Sequence, residues 1–301
     1  MTHSESTFSL PSKEKYFREL KQTPSMSWPA VGLFLLGLLV IVGASSMALS
    51  GGIPLWVAMV ANGIGLYLLF TIMHESLHRN VSSNSRFNEI FGRISLLLLI
   101  PAAPLEIARW AHFQHHRFTS SDQDPDNFIH DAKWWDILLR WPNFDLYYLY
   151  IFLRDGGKEK QRHSRALTLQ ASIFLTGIAA LTYFGYGMEV LFLWILASRI
   201  GLFLVALVFV FLPHHPAEVT AQENEYQATT IRQGWEWLLT PLFVFQNYHL
   251  IHHLYPTAPF YNYIKIWHLK YEEIIAEDPA IHQNFGLTPV NYKPTKVESA
   301  G

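Results

Sequence analysis

The residues with the most chemistry in this 301-residue chain are histidines set at helical spacing. In WAHFQHH, His112, His115 and His116 stand at i, i+3 and i+4 and share one face of a helix. The same spacing returns in HLIHH at His249, His252 and His253, and an i, i+4 pair, His74 and His78, lies in MHESLHR. His214 closes an apolar stretch in FLPHHP. Neutral imidazole is a ligand for iron, copper, nickel and zinc, and imidazoles one helical turn apart reach the same ion. These histidines exceed what one ion needs. Two ions with four or five imidazoles each, and positions left open for oxygen or water, fit the set better. Zinc there would polarise water, whereas iron would bring oxidation, which inert C–H bonds require.

The elements that must position these groups are membrane spans. Half of the residues are hydrophobic and only 15% are charged, against about a quarter in soluble domains. Four stretches, Pro29–Ser50, Ile53–Met73, Ala166–Phe184 and Val190–Leu212, are long and apolar enough to cross a hydrocarbon core of ~30 Å as helices. Gly51-Gly52 and GYGME at 185–189 turn them into two helical hairpins. The apolar run Ile94–Leu105, broken by Pro101 and Pro104, is too short to cross and reads as re-entrant or interfacial; Leu238–Phe245 is also too short. Trp134, Trp135, Trp141, Tyr147, Tyr148 and Tyr150 suit the headgroup level. Every Lys and Arg except Arg199 lies before Trp28, between His74 and Arg165, or after Leu212. By the positive-inside rule these segments, both termini and all the clustered histidines are cytoplasmic. The expected fold is therefore all-α and integral to the membrane, with four spans in two hairpins and a cytoplasmic helical cap carrying the metal site. Residues 1–28 are polar, without a secretory signal, and read as a cytoplasmic N-terminal segment; residues 29–301 read as one membrane domain.

Composition excludes other classes. A net charge of −2 and a pI near 6.7 supply no basic field, so no nucleic-acid partner is expected. Cysteine is absent, which removes disulfides, Cys-ligated zinc, iron–sulfur clusters and thioether-linked haem. A Cys-ligated electron carrier would have to be a separate protein.

HESLH, HFQHH and HLIHH, with two spans between the second and third, resemble the three histidine boxes of the membrane-bound fatty acid desaturase and hydroxylase superfamily. FLPHHP at 211–216, DPD at 124–126 and NYHLIHHLYPTAPFY at 247–261 look like the carotenoid ring hydroxylases and, less fully, the ketolases. The resemblance implies a non-haem di-iron centre, O2 as co-substrate, a lipophilic substrate and a separate electron donor of ferredoxin, rubredoxin or cytochrome type. It implies His74, His78, His112, His115, His116, His249, His252 and His253 as iron ligands, and His214 as the extra histidine after the last span. His215 stands where related enzymes often carry arginine and is left out, and Glu75 departs from the HDxxH of acyl desaturases. Asp122, Asp124, Asp126 and Asn247 are candidates to hold the imidazoles from behind. Hydroxylation of a carotenoid-like lipid leads, with fatty acyl desaturation as the alternative.

HESLH also satisfies HExxH, two zinc ligands and a general-base glutamate, but a membrane metalloprotease leaves the other two clusters unexplained. A histidine-lined metal transporter predicts ligands along a path near the bilayer midplane, and a bis-histidine haem protein accounts for fewer of them. A calcium loop at Asp122–Asp126 fails because Asn127 and Lys133 replace the glycine and the bidentate glutamate. His3, His130, His163, His268 and His282 lack cluster spacing and are expected away from metal. Arg199 lies inside the fourth span, and an intramembrane charge needs a partner; Asn62 at similar depth in the second span, or a polar end of the substrate, is the expected one.

Overall fold

The computed structural model describes residues 10–293, so His3 lies outside it. The chain is mostly helical: α1 (Leu10–Lys21), α2 (Trp28–Leu49), α3 (Leu55–Leu77), α4 (Ser85–Leu99), α5 (Leu105–Phe118), α6 (Phe144–Asp155), α7 (Gly157–Tyr183), α8 (Gly187–His214), α9 (His249–Leu254) and α10 (Tyr263–Leu269), joined by shorter helical turns and loops. Four of these, α2, α3, α7 and α8, are long and apolar enough to cross a membrane. The helix at α7 begins nine residues before the apolar stretch does, because polar, helix-forming residues from Lys158 to Arg165 continue it.

α3 is the central helix. It packs against α2 on one side and α8 on another. The crossing with α2 is close because Gly65 faces Gly37: a Cβ on Gly65 would stand 2.9 Å from the Gly37 carbonyl oxygen. Small residues at such crossings let helix backbones approach and gain dispersion contact where lipid removes the hydrophobic drive. Leu69 and Ile72 of α3 and Leu202 and Val205 of α8 are fully buried between them. α1 joins the same core, with Phe17 and Leu20 buried and Asn262 Nδ2 donating to the Leu20 carbonyl at 2.9 Å.

The Ile94–Leu105 run is the meeting of two helix ends. α4 stops at Leu99, the chain turns through the two prolines, and α5 starts after Pro104. Side chains from the first half of α8 hold this turn: Trp194 Nε1 donates to the Leu98 carbonyl (2.8 Å) and Ser198 Oγ to that of Leu99 (2.6 Å). α8 is not uniform. Leu191–Leu196 and Ala206–Phe211 wind as π-helix, the wider turn that re-phases the residues beyond it.

Three expectations need correction. The fold is not purely α: β1 (Thr230–Gln233) pairs in parallel with β2 (Ala280–Gln283), with Ile231 opposite Ile281. Strands of four residues, separated by about 50 in sequence, leave no periodicity to read. Arg199 does not meet Asn62. Its guanidinium pairs with Asp145 and reaches the Pro142 carbonyl at 3.0 Å, while Asn62 Nδ2 donates to Ser45 Oγ and the Leu193 carbonyl. A full carboxylate satisfies the charge better than an amide, and α6 delivers one. The aromatic group also divides: Trp134, Trp135 and Tyr150 are exposed, whereas Trp141 is buried against Phe203 and Phe211.

Candidate metal centre

His74 lies within the buried last two turns of α3 and His78 caps the helix, so the i, i+4 pair leaves it on one face. His112, His115 and His116 occupy one side of α5. The second π-helical segment of α8 runs into Leu212, beyond which His214 is buried. The third group rides on α9, which the chain enters through Val244 and Phe245 in left-handed backbone, φ 47° and 67°. That reversal aims a helix of six residues back at the other two groups.

All nine cluster histidines converge. Ring nitrogens of His74, His78, His112 and His252 lie within 4.8 Å of one another, and so do those of His115, His214, His249 and His253. His116 sits between the sets, its Nε2 3.1 Å from His112 Nε2 and 3.0 Å from His252 Nε2. His78 and His112 approach Nε2 to Nε2 at 2.6 Å. The remaining histidines stand apart. His163 pairs with Glu159, His268 is exposed, His282 Nε2 donates to the His215 carbonyl, and His130 packs 6.0 Å from the His214 ring, outside both sets. His215 stacks toward Phe211.

The hydrogen bonds behind the imidazoles fix which nitrogen faces inward. His115 Nδ1 donates to Asp124 Oδ1 at 3.0 Å, His249 Nδ1 to Gln246 Oε1 at 2.6 Å, and His214 Nδ1 points at the Ala228 carbonyl at 3.4 Å. A neutral imidazole carries one N–H, so in its neutral form each of these presents a bare Nε2 lone pair to the centre. They converge around His253 Nε2, which is 3.3 Å from His115 and 3.1 Å from His249 and has at most one proton to give. In the other set, His252 Nδ1 bonds the Tyr263 hydroxyl at 2.9 Å, and both nitrogens of buried His74 lack a hydrogen-bond partner among the described residues. Lone pairs gathered without donors repel one another, and a cation between them removes that cost. The donor set is therefore the right one for metal ions.

Electrostatics agree. Burial first, then the neighbouring imidazoles, pull His78, His112, His116, His249, His252 and His253 well below the usual histidine value, so they are neutral near pH 7, the form in which imidazole can bind metal. His115 is the exception: burial lowers it, but Asp124 and Asp126 outweigh that and raise it to about 9. The same carboxylates that favour its second proton would favour a cation at Nε2.

The candidate partners fare unequally. Asp124 also accepts the Ser120 and Asp126 backbone N–H groups, and Asp126 lies 3.2 Å from His115 Nδ1 while accepting the Tyr148 hydroxyl hydrogen. Asp122 is exposed and apart from the cluster. Asn247 is buried but donates to Thr240 Oγ1 at 3.1 Å, not to an imidazole; its neighbour Gln246 takes that role. Gln246, Tyr148 and Tyr263 were not anticipated. Gln246 alone carried a signal, its i−3 spacing from His249.

An apolar cavity of ≈ 70 Å³ lies against this centre, with Ile100, Phe144, Val205 and Phe209 on its walls and His74, His112, His115 and His249 at its head. An apolar pocket with a few convergent polar groups suits a lipophilic molecule.

The fatty acid desaturase family model matches residues 50–285, and the chain belongs to that family of membrane-bound, histidine-box di-iron oxidoreductases. A beta-carotene ketolase of Paracoccus sp. (strain N81106 / MBIC 01143) is 28% identical over 241 residues, which is 72% of this chain and 90% of the ketolase. Four candidate spans and the family make the chain an integral membrane protein with a lipophilic substrate.

Proposed function

We propose that the chain oxidises a C–H bond of a carotenoid-like lipid, by hydroxylation, at a di-iron centre held by the nine histidines. His74, His78, His112, His252 and His116 would hold one ion, and His115, His214, His249 and His253 the other. The observation that carries this is the convergence of bare Nε2 lone pairs around His253 and His74, beside an apolar cavity. Iron bound there would supply activation of O2 for attack on an inert C–H bond, with electrons from an external carrier. The chain's own residues do the rest. Asp124, Gln246 and the Ala228 carbonyl hold imidazole N–H groups outward, and the cavity walls exclude water and orient the reacting carbon. In this reading residues 29–301 act as one membrane domain of two hairpins, with residues 1–28, both termini and the metal centre on the cytoplasmic side.

The ketolase similarity favours a carotenoid ring; the family's name favours an acyl chain, whose desaturation is the second reading. Glu75 argues against an HExxH hydrolase, since its Oε2 accepts the Phe260 backbone N–H at 3.1 Å. The ligands gather at the ends of α3 and α8, which argues against a transport path. The test is iron analysis of the purified chain together with lipid analysis of cells that make β-carotene. About two irons per chain and a hydroxylated carotenoid are expected; unaltered carotenoid with newly unsaturated acyl chains would replace this reading by the second.

A further inference from the structure

A second apolar space lies on the flank of α7. It is a groove of ≈ 580 Å³ between α7 on one side and the tip of α4 with Trp194 on the other. Its lining follows α7 from Ala166 to Leu181, about 22 Å at 1.5 Å per residue. The space is therefore elongated. Among the described residues α7 has no fully buried side chain, and although Gln170 and Phe174 touch the neighbouring elements, the groove is left open along its side.

The groove and the histidine cavity share a thin wall. Leu97 and Pro101 line the groove, and Ile100 between them lines the cavity. That wall is not helix: Ile100 has φ −131° and ψ 71°, and the carbonyls around it are taken by side chains of the spans. Gln170 Nε2 donates to the Pro101 (3.1 Å) and Ala103 (2.9 Å) carbonyls, while Trp194 and Ser198 hold those of Leu98 and Leu99. Unwound backbone at membrane depth must be satisfied in this way, and a few side-chain bonds re-form more easily than a helix repacks.

We propose that the groove holds the apolar body of an elongated polyene substrate arriving sideways from the bilayer, and that its end passes to the histidine cavity at the Ile100–Pro101 wall. This rests on the substrate class proposed above. The occupant follows from three features together: the length of the groove, its apolar lining along a candidate membrane span, and its position across a single turn of chain from the cavity.

Gly177 lines the groove, and a Cβ there would meet nothing within 4 Å; Gly43 on α2 is equally open and lies elsewhere. The experiment compares the unsubstituted chain, Gly177→Phe, Ile173→Trp and the control Gly43→Phe in nanodiscs loaded with β-carotene. Retained β-carotene, product and iron per chain are measured. Filling the groove is expected to lower retained β-carotene and product about tenfold in Gly177→Phe and Ile173→Trp, with Gly43→Phe and all iron contents unchanged. Full retention and turnover in both groove variants would overturn the groove and leave the proposed function standing. Retention that the groove variants lose, without product from any chain, would support the groove and overturn the reaction. If the unsubstituted chain holds no β-carotene, the groove assignment falls, and oxidation of acyl lipid by that chain would remove the carotenoid reading with it.

Discussion

Arg199 and Asp145 form a two-point ion pair, Nη1 to Oδ1 at 2.8 Å and Nη2 to Oδ2 at 2.9 Å. The pair joins the interior of α8 to the start of α6, the helix that carries Tyr148 to Asp126. An arginine inside a candidate span thus anchors the helix that supports the histidine cluster through Tyr148 and Asp126. Removing it leaves the Asp145 carboxylate buried and unpaired. Arg199→Leu is expected to destabilise the protein by about 3–5 kcal/mol, read as a lower unfolding temperature in detergent. The double variant Arg199→Leu/Asp145→Leu should recover much of the loss, and failure to recover any would show that the pair is not the source of the effect.

Asp124 and Asp122 differ by two positions and by everything else. Asp124→Ala removes the acceptor of the His115 Nδ1 proton and is expected to weaken metal retention by about 10–100-fold. Asp122→Ala should leave it unchanged. Metal content after graded chelator treatment separates the two, and equal losses would remove Asp124 from its proposed role.

His115→Ala and His252→Ala each take one imidazole from a different set. Each is expected to abolish turnover and lower bound iron while the protein still inserts into the membrane. Normal turnover in either would end the shared-centre account, since Ala supplies no donor atom.

Gly65→Val tests the crossing of α2 and α3. Its Cβ would stand 2.7 Å from Ile41 Cγ1 and 2.9 Å from the Gly37 carbonyl, so the helices must part. A loss of about 1–3 kcal/mol is expected, again as a lower unfolding temperature. An unchanged value would mean that the crossing yields without cost.

The three histidine groups were legible because helical period alone puts i, i+3 and i+4 on one face. His214 was legible from its place at the end of the last span and from a family resemblance, but not from helical spacing, since its approach to the centre follows a π-helical segment that no apolar pattern marks. Asp124 and Asp126 could be named from their nearness to His115, but the turn that buries them and exposes Asp122 depends on hydrogen bonds to Ser120 and to Asp126 itself. The partner of Arg199 lies 54 positions away on another helix, beyond the reach of local pattern. Asn247 was expected where Gln246 serves, because the left-handed backbone at Phe245 shifts which side chain points at His249.

Arg232 binds three carbonyls drawn from distant stretches, Leu212 at the end of α8 and Asn284 and Gly286 beyond β2. The helix that presents His214 is therefore finished by residues synthesised some seventy positions after it. During biosynthesis the first two histidine groups leave the ribosome well before the strand that secures this end exists. The arrangement in which all nine histidines converge is then complete only once the residues just beyond β2 are in place.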